Sequence, residues 1–351
     1  MALYPEQLDD LAELTFNRSK RKQWVDLSLD NQEYVFAKQF MNGKKKTPVK
    51  GGPLQQWKLQ TGKTGQARWT GMYSEDQTSV ANLMTGASQK WAIMTTNFSY
   101  DVNEPEFQGD DVTMIINELV VREHDMYSGY VELMEAALWT APTSSTQDPR
   151  PMSGIPFWLQ KSATEGFNGG NPSGFSDGAG GVNTTTHSNW KNYTFGYSAV
   201  TRDDIIAKWK KAVTFTRFKA PHSYAELGGG TPNWMFYTTY RLQEPLMQFL
   251  DARNDKITDL AGTQNCMFNS IPVEVAFELE NSTQDGYDST DPIYGINWKT
   301  FEYFCQKGKE MVRKKPKEAP LQHNVRNVFM DSIGNLQCFN RRANFVGYSL
   351  V

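Results

Sequence analysis

The sequence predicts an α+β fold, and three observations carry that reading. One is an apolar stripe from Val112 to Leu138 with helical spacing. The second is a set of short alternating runs on either side of it, with no internal repeat. The third is a chain of 351 residues that is 13% aromatic with ten Trp, yet only 39% hydrophobic, with a mean hydropathy of −0.59. Aromatic-rich, aliphatic-poor surfaces use amphipathic rings at wet contacts. That composition fits either repeated subunit interfaces or a sugar-binding surface.

Val112, Ile115, Ile116, Leu119, Met126, Tyr130, Leu133, Met134, Ala137 and Leu138 recur at three- and four-residue steps, which places them on one helix face. Asp110 and Asp111 stand at the start, where carboxylates accept from free backbone N–H groups and oppose the dipole. Pro142 follows the end. The helical span is roughly 28 residues, about 42 Å long at about 1.5 Å per residue, within an expected helix over 110–139. Ordinary globular helices average about 11–12 residues. A single helix of this length is a spine for a flat or elongated subunit, and Gly129 is a point where it can bend.

The other elements follow in chain order. Leu8, Leu11, Ala12 and Leu14 predict a short amphipathic helix that leads into the basic cluster Arg18–Lys22. This N-terminal stretch is too short to bury its own apolar face, so it reads as an arm. From Pro53 to Tyr73, two alternating runs flank Gly62-Lys63-Thr64-Gly65. Trp57 and Leu59 lie on one run and Trp69 on the other, which predicts a long β-hairpin. A lone two-stranded hairpin is marginal in water, so it must lie against another surface.

Trp91–Tyr100 alternates as a strand. Gly166–Thr186 is rich in Gly, Asn, Ser and Thr and reads as a long surface loop. Thr201 to Asp204 resembles a capping box and opens a helix bearing Ile205, Ile206, Trp209 and Val213. Trp234–Tyr237 reads as a strand. Leu242, Leu246, Phe249 and Leu250 mark a helix with Pro245 in its first turn. Val273, Val275, Phe277 and Leu279 alternate as a strand. Tyr294–Cys305 and Val325–Tyr348 are strand-rich, with a turn expected at Asp331–Asn335.

Charge and motifs exclude several classes. A net charge of −3 gives no bulk attraction for nucleic acid. The basic runs Lys44–Lys46 and Arg313–Lys317 read as solvated loops. Cys266, Cys305 and Cys338 form no CxxC pair, which argues against a disulfide framework or a zinc site and fits a reducing compartment. The N-terminus has no signal-peptide pattern, and no run of 18 apolar residues crosses a membrane. Gly62-Lys63-Thr64 imitates the end of a phosphate loop, but Trp57 stands where that loop requires glycine. His124, His187, His222 and His323 lack partners at metal-ligand spacing. Glu123-His124-Asp125 reads as a solvated or subunit-facing patch. No nucleophile signature is present, so neither catalysis, cofactor nor metal is expected. The Asn-x-Ser/Thr sequons at Asn97, Asn183, Asn192 and Asn281 read as chance in an Asn- and Thr-rich chain. Lys63 at the hairpin tip reads as soluble surface; an amide cross-link to a neighbouring Asn is the rival reading. An exposed set of Trp and Tyr on a β scaffold keeps a carbohydrate-binding module as the alternative function.

The element order resembles the major capsid proteins of tailed bacteriophages, the Hong Kong 97 fold. Three stretches carry the resemblance in wording as well as order: Gly154-Ile-Pro-Phe-Trp158 with Asn189-Trp-Lys-Asn192 beyond it, Asp291-Pro-Ile-Tyr-Gly-Ile-Asn297, and Gly334-Asn-Leu-Gln-Cys-Phe-Asn-Arg-Arg342. The resemblance implies an N-terminal arm over 1–50 and an extended hairpin loop over 51–80. It implies a peripheral domain from 81–150 and 293–351 with spine helix 110–139, and an axial domain over 151–292. It further implies self-assembly into pentamers and hexamers of an icosahedral shell. That shell would enclose double-stranded DNA without sequence-specific binding, assembled in the host bacterial cytoplasm. Portal, scaffolding or cement proteins are the partners such a shell takes. The subunit-interface residues expected on the hairpin are Trp57, Leu59, Lys63, Trp69 and Tyr73.

Overall fold

The structure, a computed structural model, describes residues 34–41, 45–62, 65, 67–73, 75, 82–103, 112–217, 233–251, 267–268, 271–320 and 322–350; side chains of 112–120, 249–251 and 323 are not described. The expected helix over 8–14, the basic cluster Arg18–Lys22, Lys63, His222 and Cys266 lie outside these residues. The strands in chain order are β1 (Lys46–Val49), β2 (Gln55–Gln60), β3 (Met84–Gln89), β4 (Ala92–Asp101), β5 (Tyr193–Tyr197), β6 (Trp234–Thr238), β7 (Met267–Phe268), β8 (Ile271–Val275), β9 (Ile293–Asn297), β10 (Phe301–Gln306), β11 (Val312–Arg313), β12 (Lys317–Ala319), β13 (Gln322–Cys338) and β14 (Phe345–Ser349). The main helices are α1 (Val112–Leu138), α2 (Ala207–Thr216) and α3 (Tyr240–Asp251). The spine helix is therefore present, at 27 residues.

The chain divides into two compact units. The smaller holds 1–34, 94–133 and 308–332. In it, β13 pairs antiparallel with β11 and β12, and Val102 N donates to Asn324 O at the end of β4 (2.9 Å). Met126 and Tyr130 bury one face of α1, and the Tyr130 hydroxyl lies 3.3 Å from Ser332 Oγ. Arg313 pairs with Glu123 at 2.6 Å and Lys314 pairs with Asp331. The basic run expected as a loop thus begins and ends in strands, because opposite charges on α1 and β13 receive its cations. His124 Nδ1 lies 3.3 Å from Ser128 Oγ, one turn along the same helix.

The larger unit holds 35–93, 134–307 and 333–351. Its main sheet is mixed, in the order β5-β14-β9-β6-β8-β7. β14 runs parallel to β5 and antiparallel to β9, so the closing strand completes the sheet of the middle segment. α2 covers it. Trp209 stacks on Phe268 at 4.1 Å and meets Phe236 edge-on, with Phe195, Ile293 and Phe345 fully buried beside them. The capping signal is real: Thr201 Oγ1 accepts from Asp204 N (3.3 Å) ahead of a π-turn, Arg202–Ile206, that runs into α2. Asp204 itself reaches back to the amides of Ser198 and Ala199 (2.8 and 3.0 Å). A second set of strands pairs β1 parallel to β10, and β10 antiparallel to the end of β13.

Four expectations need correction. Asp331–Asn335 is not a turn; β13 runs straight through it. Gly334 is there because the Tyr303 ring on β10 lies where a Cβ would stand. The strand expected through Leu279 stops at Val275, and Phe277–Glu280 forms a helical turn that buries Leu279 and leaves Phe277 half-exposed. α3 starts at Tyr240, with Thr239 O accepting from Leu242 N and Gln243 N, so Pro245 falls beyond the first turn. The Gly- and Asn-rich stretch 166–186 is not a free surface loop. Phe175, Ala179 and Val182 are buried in it, and side-chain amides take the place of strand partners. Asn171 Oδ1 accepts from Thr184 N and Oγ1 (3.0 and 2.8 Å), and Asn183 Oδ1 accepts from Thr185 N (2.8 Å).

Candidate subunit interface

The hairpin exists, but its arms differ from the expected ones. β2 pairs antiparallel with β3, placing Trp57 opposite Ala87 and Leu59 opposite Thr85. The ladder continues as Thr61 N and Gly62 N both donate to Leu83 O (3.0 and 3.2 Å). Residues 67–71, expected as the return strand, form no strand. The reason lies in the pairing surface: the small side chain of Ala87, fully buried, leaves room for the indole opposite, as a second Trp would not.

The root of the hairpin is bound to its own unit. Gln55 and Gln89 are buried. Gln337 Nε2 donates to Gln55 Oε1 (2.8 Å), and Gln89 Nε2 donates to Ser153 Oγ. Trp57 packs against Trp158 and Phe339, with ring centroids 6.3 Å apart in each case. Gly180, at φ +68°, lies against the same indole in a conformation that other residues rarely adopt. Leu59 is half-buried on the same face. Trp57 is therefore an internal anchor of the hairpin in this structure, and the sequence pattern could not show this because Trp158 and Phe339 are 101 and 282 residues away.

Beyond the ladder the surface changes. Trp69, Met72 and Tyr73 are each more than nine-tenths exposed. Isolated exposed apolar residues are ordinary, but three within five residues make a patch that water solvates poorly. Six of the ten Trp side chains (139, 158, 190, 209, 234 and 298) are buried, so most of the content behind the carbohydrate reading is core.

The familiar stretches converge elsewhere in this unit. Arg341, fully buried, donates through Nε to Trp158 O (2.5 Å) and through a terminal nitrogen to Gly170 O and Asn192 Oδ1 (3.0 and 3.2 Å). Burial pushes its guanidinium down to about 10. Asn192 also accepts from Gln160 N and donates to Gln160 O. Asn335 Oδ1 accepts from Ser153 N (2.9 Å) while its Nδ2 donates to Lys90 O (2.8 Å). The first and third stretches thus meet in one polar knot beneath the hairpin root. The second joins through Asn297 N, which donates to Asn344 Oδ1 (2.7 Å). Cys305 and Cys338 are buried thiols, and burial pushes Cys338 up to about 12. Among the described residues, no cluster of three His, Cys, Asp or Glu could hold a metal ion, and no helix is long and apolar enough to cross a membrane.

No family model and no curated protein sequence matches the chain. Solved structures do. The cyanophage A-1(L) capsid asymmetric unit is 13% identical, with 96% of this chain and 98% of that one covered at a TM-score of 0.57. The capsid of the native GTA particle is 10% identical over 95% and 96%, also at 0.57. The structure titled Gordonia phage Cozz is 12% identical over 95% and 91%, at 0.51. The fold of this chain is accordingly the Hong Kong 97-like fold of phage capsid subunits, matched almost end to end.

Proposed function

We propose that this chain is the major capsid protein of a tailed bacteriophage, a structural subunit that tiles an icosahedral shell around double-stranded DNA. One observation carries the reading: the likeness to capsid subunits spans nearly the whole of both chains. The exposed patch on the hairpin supports it, because a subunit that stays solitary gains nothing from three bare apolar side chains. In this reading Trp69 and Tyr73 grip a neighbouring copy, and Trp57 and Leu59 fix the hairpin that carries them. The domain reading from sequence is arm 1–50, hairpin loop 51–80, peripheral domain 81–150 and 293–351, axial domain 151–292; the return strand of the hairpin, Met84–Gln89, lies past the loop's expected end. Copies meet head to tail and close into rings of five and six. The shell holds its genome without reading its sequence, in the virion, after assembly in the host cytoplasm. Portal, scaffolding or cement proteins complete it.

The test is direct. The expressed chain, viewed by negative-stain microscopy and sized by light scattering, forms closed megadalton particles or capsomers. A chain that stays monomeric at high concentration, alone and with co-expressed head proteins, overturns the reading.

A further inference from the structure

Glu135, near the end of α1, is 2% exposed. Its Oε2 accepts from Phe36 N (2.7 Å) and its Oε1 from Trp139 Nε1 (2.9 Å). Phe36 belongs to the segment Val35–Met41, among the first described residues of the chain. That segment seats Phe36 on Tyr303 and Phe40 on Trp298, edge to face at 5.3 and 5.5 Å. The surroundings of the carboxyl are apolar or acidic. Glu278, on the helical turn 277–280, is buried and raises the cost of a charge on Glu135. Tyr294, packed on the Trp139 ring, is held neutral by burial. Lys38 of the segment pairs with Glu274 at 3.0 Å, and Lys45, beyond its end, donates to Gln39 Oε1 and lies over the Trp298 ring.

We propose that the proton on Glu135 decides whether the segment Val35–Met41 stays seated: it is held when the carboxyl is neutral and released when the carboxyl ionises. The cause is desolvation. Among the described residues, a charge at this site has N–H donors but no cation to offset its burial, and a second carboxyl stands beside it. Unseating the segment admits water and removes that cost.

Burial first, and Glu278 in addition, push Glu135 up to about 7 from an ordinary 4.5, against the hydrogen bonds that oppose the shift. A carboxyl raised in the seated state favours seating fully below its ordinary value, and that advantage is lost as pH rises toward the raised one. Lys45 acts in the opposite sense, and only near and above pH 8, since burial pushes it down to about 8. The inference concerns the folded chain by itself and does not depend on shell assembly.

The measurement is hydrogen exchange of the Val35–Met41 amides in the full-length dispersed chain, corrected for intrinsic rates. Protection falls roughly fiftyfold between pH 5 and pH 7.5 while the amides of Ile293–Asn297 stay constant. Glu135→Gln makes the first profile flat. Glu278→Gln, which keeps the site acidic but removes the repulsion, moves the fall to lower pH. A flat profile in the unaltered chain overturns the proposal. So does an unchanged fall in Glu135→Gln or, if that variant does not fold, an unshifted fall in Glu278→Gln.

Discussion

At the scale of single residues, chemistry that looks exposed in the sequence is often buried in the fold. Arg341 sits beside a second arginine in the run Asn340-Arg341-Arg342. The fold closes it over three oxygens, those of Trp158, Gly170 and Asn192. Each abandoned buried acceptor costs about 1–3 kcal/mol. Arg341→Ala is therefore expected to lower the stability of the dispersed chain by at least about 3 kcal/mol, read by urea unfolding. No local signal in the sequence marks Arg341, because its partners lie 149 to 183 positions away. Trp57 is a milder case. Its indole N–H is buried without an acceptor among the described residues. Trp57→Ala should cost about 2–3 kcal/mol from lost packing. Trp57→Phe should cost less than half of that, since it keeps ring contacts and removes the orphan donor. Equal losses in the two variants would show that the indole nitrogen is paired in solution.

The hairpin shows what alternation can and cannot say at the scale of elements. The period-two pattern of Gln55–Gln60 correctly placed Trp57 and Leu59 on one face. It could not choose the partner strand. The run after Gly65 looked stronger, having Trp69, yet Met84–Gln89 won because its Gly86 and Ala87 fit beside Trp57 and its Gln89 reaches Ser153. Trp69 was left in water. Two consequences differ between root and tip. Trp69→Ala with Tyr73→Ala should change the unfolding free energy of the dispersed chain by less than about 0.5 kcal/mol, as exposed positions do. The same pair should reduce particle yield severely. Normal particles from that variant would remove the hairpin tip from the interface. Edge protection is also visible here: Pro48 lies in β1, which among the described residues pairs with β10 alone, so it blocks unwanted pairing on the other side.

For the whole molecule, the long helix and the order of elements were the informative features. α1 was legible because a 3.6-residue period needs no knowledge of distant residues. The closing of the main sheet by β9 and β14 was not, since strands from the end of the chain join a sheet begun 150 residues earlier. Assembly is the prediction that belongs to this scale, and pH is the variable to control in testing it. If the arm root is released as Glu135 ionises, particles formed below pH 6 and above pH 8 should differ in arm protection from proteolysis, with more cleavage on the alkaline side. Identical digestion patterns would separate the arm from shell order.

The sequence alone determined the α+β class, the spine helix, the inward face of β2 and the capped start of α2. Each of these rests on local periodicity or local hydrogen bonding, which neighbouring residues settle among themselves. Only the tertiary structure decided that the hairpin returns through Met84–Gln89, that Gly334 answers to Tyr303, that Arg341 is a core residue and that Glu135 holds the amide of Phe36. Those outcomes depend on groups brought together from across the chain, and burial turns each of their charges and hydrogen bonds into a constraint that water would otherwise erase.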